Sequence, residues 1–441
     1  MAQSNSLARG WAVTSAAMGV NLILGVLYAW SPIGKMLAGG WIKTYGKTLG
    51  QTYAAVPFAV STAAFAVTMI FAGRLQDKIG PRLVATLGGL LLGAGLITSA
   101  YFDSPLALAL SYGVLGGIGI GVGYCATTPP AVKWFPPARK GLITGLVVAG
   151  VGLAAVYMGP LTNWLLANDL LSASIRSALG LGTSNIAQTF FLLGVLTIVV
   201  VSILAQFLRN PPAGYVPPAV EAPAARRRSI SGRDTNWPGM LATGQFYLLW
   251  CMFILAGAAG LMLIANVMQI AEQQVSWSKT ALPAALPVMF LAIFNTCGRV
   301  VGGFVSDRIG RTNTMMLAFI LQAANMFAFS FYSNPALLLF GVSFAGLCYG
   351  SIFTLMPAAT ADFYGLKNMG VNYGILFTAF GVAGASGALL GGRVRDLFGN
   401  YSTAYVIMAV ALLVAAAIAA LTRAPKVTAP MEAQRELVKS A

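Results

Sequence analysis

The chain has 441 residues, of which 58% are hydrophobic and 9% charged, and its mean hydropathy is +0.78. That apolar share far exceeds what a soluble core needs, so water is excluded as the main solvent. The formal net charge of +16 would suit nucleic acid, but in a membrane protein basic residues first report topology, and no nucleic-acid partner is expected.

Crossing a hydrocarbon layer of about 30 Å as a helix takes roughly 20 mainly apolar residues. Stretches of that length are predicted at 11–34, 51–73, 83–102, 105–132, 141–166, 187–208, 241–270, 280–305, 313–332, 335–361, 368–392 and 401–422. The first is too long for the apolar region of a signal peptide and has no convincing cleavage site after it, so it reads as a retained helix. Most Lys and Arg fall in the terminal segments and in the loops after the even-numbered spans, which are therefore expected to face the cytoplasm. Lys35, Lys43, Lys47, Arg176, Lys279, Arg393 and Arg395 lie on the opposite side, and Arg299 alone lies inside a span.

Taken in chain order, span one holds Asn21 and Tyr28 amid apolar neighbours. Spans two and three are joined by Gly73-Arg74-Leu75-Gln76-Asp77-Lys78-Ile79-Gly80-Pro81-Arg82. Span four holds Tyr124 and leaves through Pro129 and Trp134-Phe135. After span six comes the longest polar stretch, 209–240, rich in proline and carrying Arg226 to Arg228, which reads as a flexible linker. It divides the chain into an N-terminal six-helix half, 1–208, and a C-terminal half with its tail, 241–441.

Span seven holds Asn266, and span eight leads into Gly303-Phe304-Val305-Ser306-Asp307-Arg308-Ile309-Gly310-Arg311. This segment echoes the first at an offset of 230 residues, from Asp77 to Asp307. Span ten holds Tyr349 and leaves through Pro357 and Asp362-Phe363, an echo of span four at nearly the same offset. Cys125, Cys251, Cys297 and Cys348 stand in separate spans with no CxxC pairing, which argues against a disulfide framework or a thiolate metal site. No cofactor is expected.

The repeated loop resembles the major facilitator superfamily, whose loop between helices two and three carries a G-x-x-x-D-K/R-x-G-R-K/R-type motif that the second half repeats more weakly. The resemblance covers the whole chain and implies an all-α integral membrane protein: twelve transmembrane helices in two pseudo-symmetric six-helix bundles. Physically, Asp77 with Arg82, and Asp307 with Arg311, would place a carboxylate near a helix N-terminus and basic partners, a gating latch that breaks as the halves rock. Otherwise each is a fixed turn with solvated charges.

Arg299 precedes Asp307 by eight residues, hence lies about 12 Å deeper along a helix at roughly 1.5 Å per residue. A guanidinium near the midplane costs at least roughly 2.5 to 3.5 kcal/mol unless it meets water or an anion. None of the 11 acids falls at a span centre, so a substrate carboxylate is the natural counter-ion, held by two parallel hydrogen bonds. Otherwise backbone carbonyls satisfy the charge or the side chain reaches the interface. Asn295 lies one turn earlier on the same face, and Asn21, Tyr28, Tyr124, Asn266 and Tyr349 are further candidates for a central cavity, although Asn and Tyr also join helices.

A narrower resemblance, to the oxalate/formate antiporter and monocarboxylate transporter branch, rests on Gly25-Val26-Leu27-Tyr28-Ala29-Trp30, Trp134-Phe135-Pro136, Leu263-Ile264-Ala265-Asn266 and Asn372-Tyr373-Gly374. Its fullest match runs from Gly298-Arg299 to Gly310-Arg311 and implies that Arg299 is the carboxylate-binding arginine. The oxalate carriers have a lysine where this chain has Phe380, so one cation points to a monoanion. The animal proton-coupled carriers have an aspartate at Asn295, and the chain has no histidine, so a coupled proton would have to travel with the substrate.

The expected activity is secondary transport of a lactate-, pyruvate- or formate-like monocarboxylate by a monomer in a bacterial inner membrane, with both termini cytoplasmic and protons as a possible second partner. An oxalate/formate-type exchanger is the alternative within the class, and a passive anion channel the alternative outside it. An enzyme is not expected, since no acid pair, metal cluster or activated nucleophile emerges.

Overall fold

The computed structural model describes residues 2–46, 49–136, 140–212, 215, 234–283, 285–365 and 368–423. Helix is the only regular structure among them, as lipid demands of a chain that must satisfy its own backbone polar groups. Among the described residues, twelve helical spans are long and apolar enough to cross a membrane: Ala8–Tyr45, Gly50–Gly73, Pro81–Ser99, Pro105–Lys133, Ile143–Ala167, Asn185–Ala205, Gly244–Val275, Leu286–Ile309, Arg311–Phe331, Pro335–Tyr364, Val371–Phe398 and Ser402–Leu421. Each overlaps its predicted stretch, and the twelve form two six-helix bundles.

The boundaries follow local chemistry. Spans four and ten start at Pro105 and Pro335, behind Ser104 and Asn334, whose side chains accept from the N–H groups of Ala107 (3.3 Å) and Leu337 (2.9 Å). Span one runs on to Tyr45, beyond the predicted 34, because Ile33, Leu37, Ala38 and Trp41 continue a buried face past Lys35. Span eight begins at Leu286 rather than 280, since Trp277–Lys279 form a 3-10 turn and Pro287 occupies the helix's second position.

The repeat is visible in the backbone. Gly80 (φ 86°, ψ 159°) and Gly310 (φ 95°, ψ 162°) each end one span and open the next, in a conformation that a Cβ disfavours. Their N–H groups donate to Gln76 (2.9 Å) and Ser306 (3.0 Å), and their carbonyls accept from Val84 (3.3 Å) and Thr314 (3.2 Å). The same hinge therefore stands at the same place in both halves. Most of the 209–240 linker and the tail beyond 423 lie outside the described residues.

The bundles meet where span two packs on span eleven and span five on span eight. In the connection between spans five and six, Arg176 is buried. Its guanidinium donates to the carbonyls of Leu171 (3.0 Å) and Thr183 (2.6 Å) and to the side-chain oxygens of Asn185 (3.1 Å) and Gln188 (3.0 Å), and it pairs with Asp169. Asp169 is mostly solvated, so the ion pair itself adds little. Buried acceptors left unpaired cost about 1 to 3 kcal/mol each. Arg176→Leu is accordingly expected to lower the melting temperature of the detergent-solubilised protein by several degrees; an unchanged transition would show that the loop is held by other means.

Candidate functional site

Three spans lose regular α-helix partway along their length. Span one tightens to a 3-10 segment at Gly25–Ala29, span four breaks between Cys125 and Thr128, and span eleven breaks at Phe377, between Met369–Leu376 and Thr378–Phe398. Broken helices in a membrane persist where protein or a cavity receives the backbone. Here they flank a narrow cavity with about 40 Å3 of room for water-sized spheres.

Both halves line that cavity. Tyr28, Phe65 and Tyr124 come from the first, and Arg299, Tyr349, Phe353, Phe377 and Phe380 from the second. The walls are aromatic, with Tyr124 edge-on to Phe65 at 5.6 Å, Tyr349 edge-on to Phe353 at 5.2 Å, and Phe377 stacked on Phe380 at 5.0 Å between ring centres.

Arg299 is held at three points. One terminal nitrogen donates to the Val148 carbonyl of span five at 2.8 Å, and the guanidinium stands 4.8 Å over the Phe353 ring. Its backbone carbonyl accepts from Thr354 Oγ1 at 2.8 Å. Nε is buried without a hydrogen-bond acceptor, and among the described residues no carboxylate pairs with the side chain. One carbonyl and one ring face, the latter worth about 0.5 to 2 kcal/mol, leave most of the charge and at least one donor uncompensated.

Asn295 stands behind the wall. Its Nδ2 donates to the Tyr28 hydroxyl at 2.8 Å across the two halves, and it is fully buried outside the lining. That placement depends on close contact of spans eight and ten. A Cβ at Gly350 would stand 1.9 Å from the Asn295 carbonyl oxygen, and one at Gly298 would stand 2.0 Å from that of Leu347.

Two further expected polar ligands also lie outside the lining. Asn21 donates to the Val147 carbonyl (2.8 Å) and accepts from Thr127 Oγ1 (3.2 Å), joining spans one, four and five. Asn266 donates to the Met262 carbonyl in its own helix at 2.9 Å. Neither lines the cavity, because short amides at tight crossings satisfy backbone carbonyls first.

Of the expected gating residues, Arg311 bonds to Asp307 (3.0 Å), to Asp362 (3.2 Å) and to the Ser306 hydroxyl, joining spans eight, nine and ten within one half. Arg82 lies in the first turn of span three, after Gly80 and Pro81. The Asp77 side chain lies outside what is described. The aromatic walls Phe65, Phe353 and Phe377 had no sequence signal, since a phenylalanine facing lipid and one facing a cavity look alike in an apolar run.

A family model described as Major Facilitator Superfamily matches residues 12–345 and 298–440. The oxalate:formate antiporter of Oxalobacter formigenes is 28% identical over 407 residues, covering 90% of this chain and 87% of that protein. Monocarboxylate transporter 13 of Rattus norvegicus is 27% identical over 345 residues, covering 77% and 72%. The crystal structure of a D-xylose-proton symporter matches with a TM-score of 0.70 at 12% identity, over 93% of this chain and 97% of the other. At that identity the likeness speaks for the fold alone.

Proposed function

Since the chain belongs to the Major Facilitator Superfamily, and is thereby a transporter rather than an enzyme, we propose that it carries small monocarboxylates by alternating access between its halves. The observation that supports this most is Arg299, a membrane-embedded guanidinium lining an inter-half cavity with a buried Nε that has no acceptor. A carboxylate offers two acceptors to match the guanidinium fork. The Tyr28, Tyr124 and Tyr349 rings supply amphipathic walls for a short organic tail.

One cation and no lining carboxylate favour a monoanion of formate to lactate size. Asn295 acts through Tyr28: because the hydroxyl accepts from Nδ2, its own proton is free to turn to the substrate. The basic loops favour cytoplasmic termini in a bacterial inner membrane, with the protein acting as a monomer. The antiporter among the relatives favours exchange of anions as a second reading. Asp77, Arg82, Asp307 and Arg311 are assigned to the conformational change rather than to binding.

The test is uptake of labelled formate, lactate and pyruvate into proteoliposomes. Saturable uptake, competed by other monocarboxylates and not by sugars, is expected; its absence for every acid tried overturns the reading. Dependence on preloaded internal anion identifies exchange, whereas response to an imposed pH gradient identifies proton symport. Flux that neither saturates nor shows counterflow would identify a channel.

A further inference from the structure

We propose that Asp396 is a clasp that shuts the two halves together at the end of the bundle opposite the termini. Span two starts at Gly50, and the residue before it, Leu49, gives no side-chain cap. The N–H groups of a helix's first turn have no partner inside the helix. Here the partner comes from the last turn of span eleven, in the other half. Asp396 Oδ1 accepts from the Gln51 N–H at 3.0 Å, and Oδ2 accepts from the Thr52 N–H and the Thr52 hydroxyl, each at 2.6 Å.

This is a carboxylate at the positive end of a helix dipole, with three charge-assisted bonds, two of them short. The approach needs a bare backbone one turn earlier, since a Cβ at Gly392 would stand 2.6 Å from the Gln51 carbonyl oxygen. A second tie lies at the same end. Lys35 of span one pairs with Glu272 of span seven at 3.0 Å, and the Ser278 N–H and hydroxyl hold that carboxylate in place. Both partners of this pair are about one-third exposed, so solvent weakens it. It makes one bond across the halves where Asp396 makes three, so Asp396 is the stronger tie.

The Arg311 network at the other end joins spans of a single half, whereas the Asp396 bonds cross between halves and must break whenever this end opens. Asp396 thereby sets how much of the protein is open on the outer side.

A cysteine introduced in the cavity wall, Ile264→Cys, in a background with the four natural cysteines changed to serine, reports the balance. It is labelled with a membrane-impermeant maleimide in right-side-out and inside-out vesicles. Asp396→Asn is expected to raise the labelling rate from the outer side roughly tenfold and to lower it from the inner side. Thr52→Val removes one bond of the three and is expected to give a smaller shift of the same sign. It decides the question alone if Asp396→Asn fails to insert. Unchanged labelling, or an equal rise from both sides, overturns the proposal. No substrate is needed, so the outcome is independent of which anion is carried.

Discussion

Arg299→Lys is expected to cut monocarboxylate uptake by about ten- to a hundredfold while the protein still inserts and purifies as a folded species. The substitution keeps the positive charge and removes the planar fork, so it separates bidentate recognition from attraction alone. Nε is the buried donor without an acceptor, and lysine has no equivalent nitrogen at that point along its stem. Losing one charged hydrogen bond of about 1.5 to 3 kcal/mol gives a factor of that size. The bond to the Val148 carbonyl at 2.8 Å can be remade by an ammonium, which is why folding should survive. Undiminished saturable uptake by the lysine variant would sink the assignment of Arg299 as the carboxylate ligand.

Phe380→Lys should shift the preference from monoanions to short dianions by about a hundredfold, read as the ratio of inhibition constants for oxalate and formate. Phe380 lines the cavity, where its ring meets Phe65 at 5.5 Å, Phe353 at 5.8 Å and Phe377 at 5.0 Å. An ammonium introduced among those rings is poorly solvated and repels Arg299. Both penalties are relieved when two carboxylates bind, and only partly relieved by one. Formate uptake should fall and oxalate should begin to compete. A folded variant in which oxalate still does not compete would show that the second charge is set elsewhere than at Phe380.

The twelve spans were legible because an unbroken apolar run of roughly 20 residues matches the width of a bilayer core and little else in a folded protein, and the repeat because a glycine turn between charged residues recurs at one offset. Arg299 was legible for the opposite reason: a charge in such a run is costly and draws attention to itself. The neighbouring amides were not. Asn21, Asn266 and Asn295 look alike in sequence, yet none lines the cavity: the first two bond to backbone carbonyls and Asn295 holds Tyr28 from behind. Their roles depend on which helix crosses at each amide and how closely, and glycines such as Gly350 set that distance. Asp396 was hidden for a related reason. Its partners are the backbone groups of residues 51 and 52, and a backbone N–H has no sequence signature.

The 3-10 segment in span one has a mechanical consequence. Between Ala2–Leu24 and Trp30–Tyr45 the α-helical hydrogen-bond ladder is interrupted for five residues, Gly25–Ala29, so a rod of this length need not move as one piece. Its upper arm bears Lys35, and its lower arm is fastened by Asn21 to spans four and five. Tyr28 sits at the joint, where angular change displaces a side chain least. Under the proposed function, the ring beside the solute then stays in place while the arm above it swings.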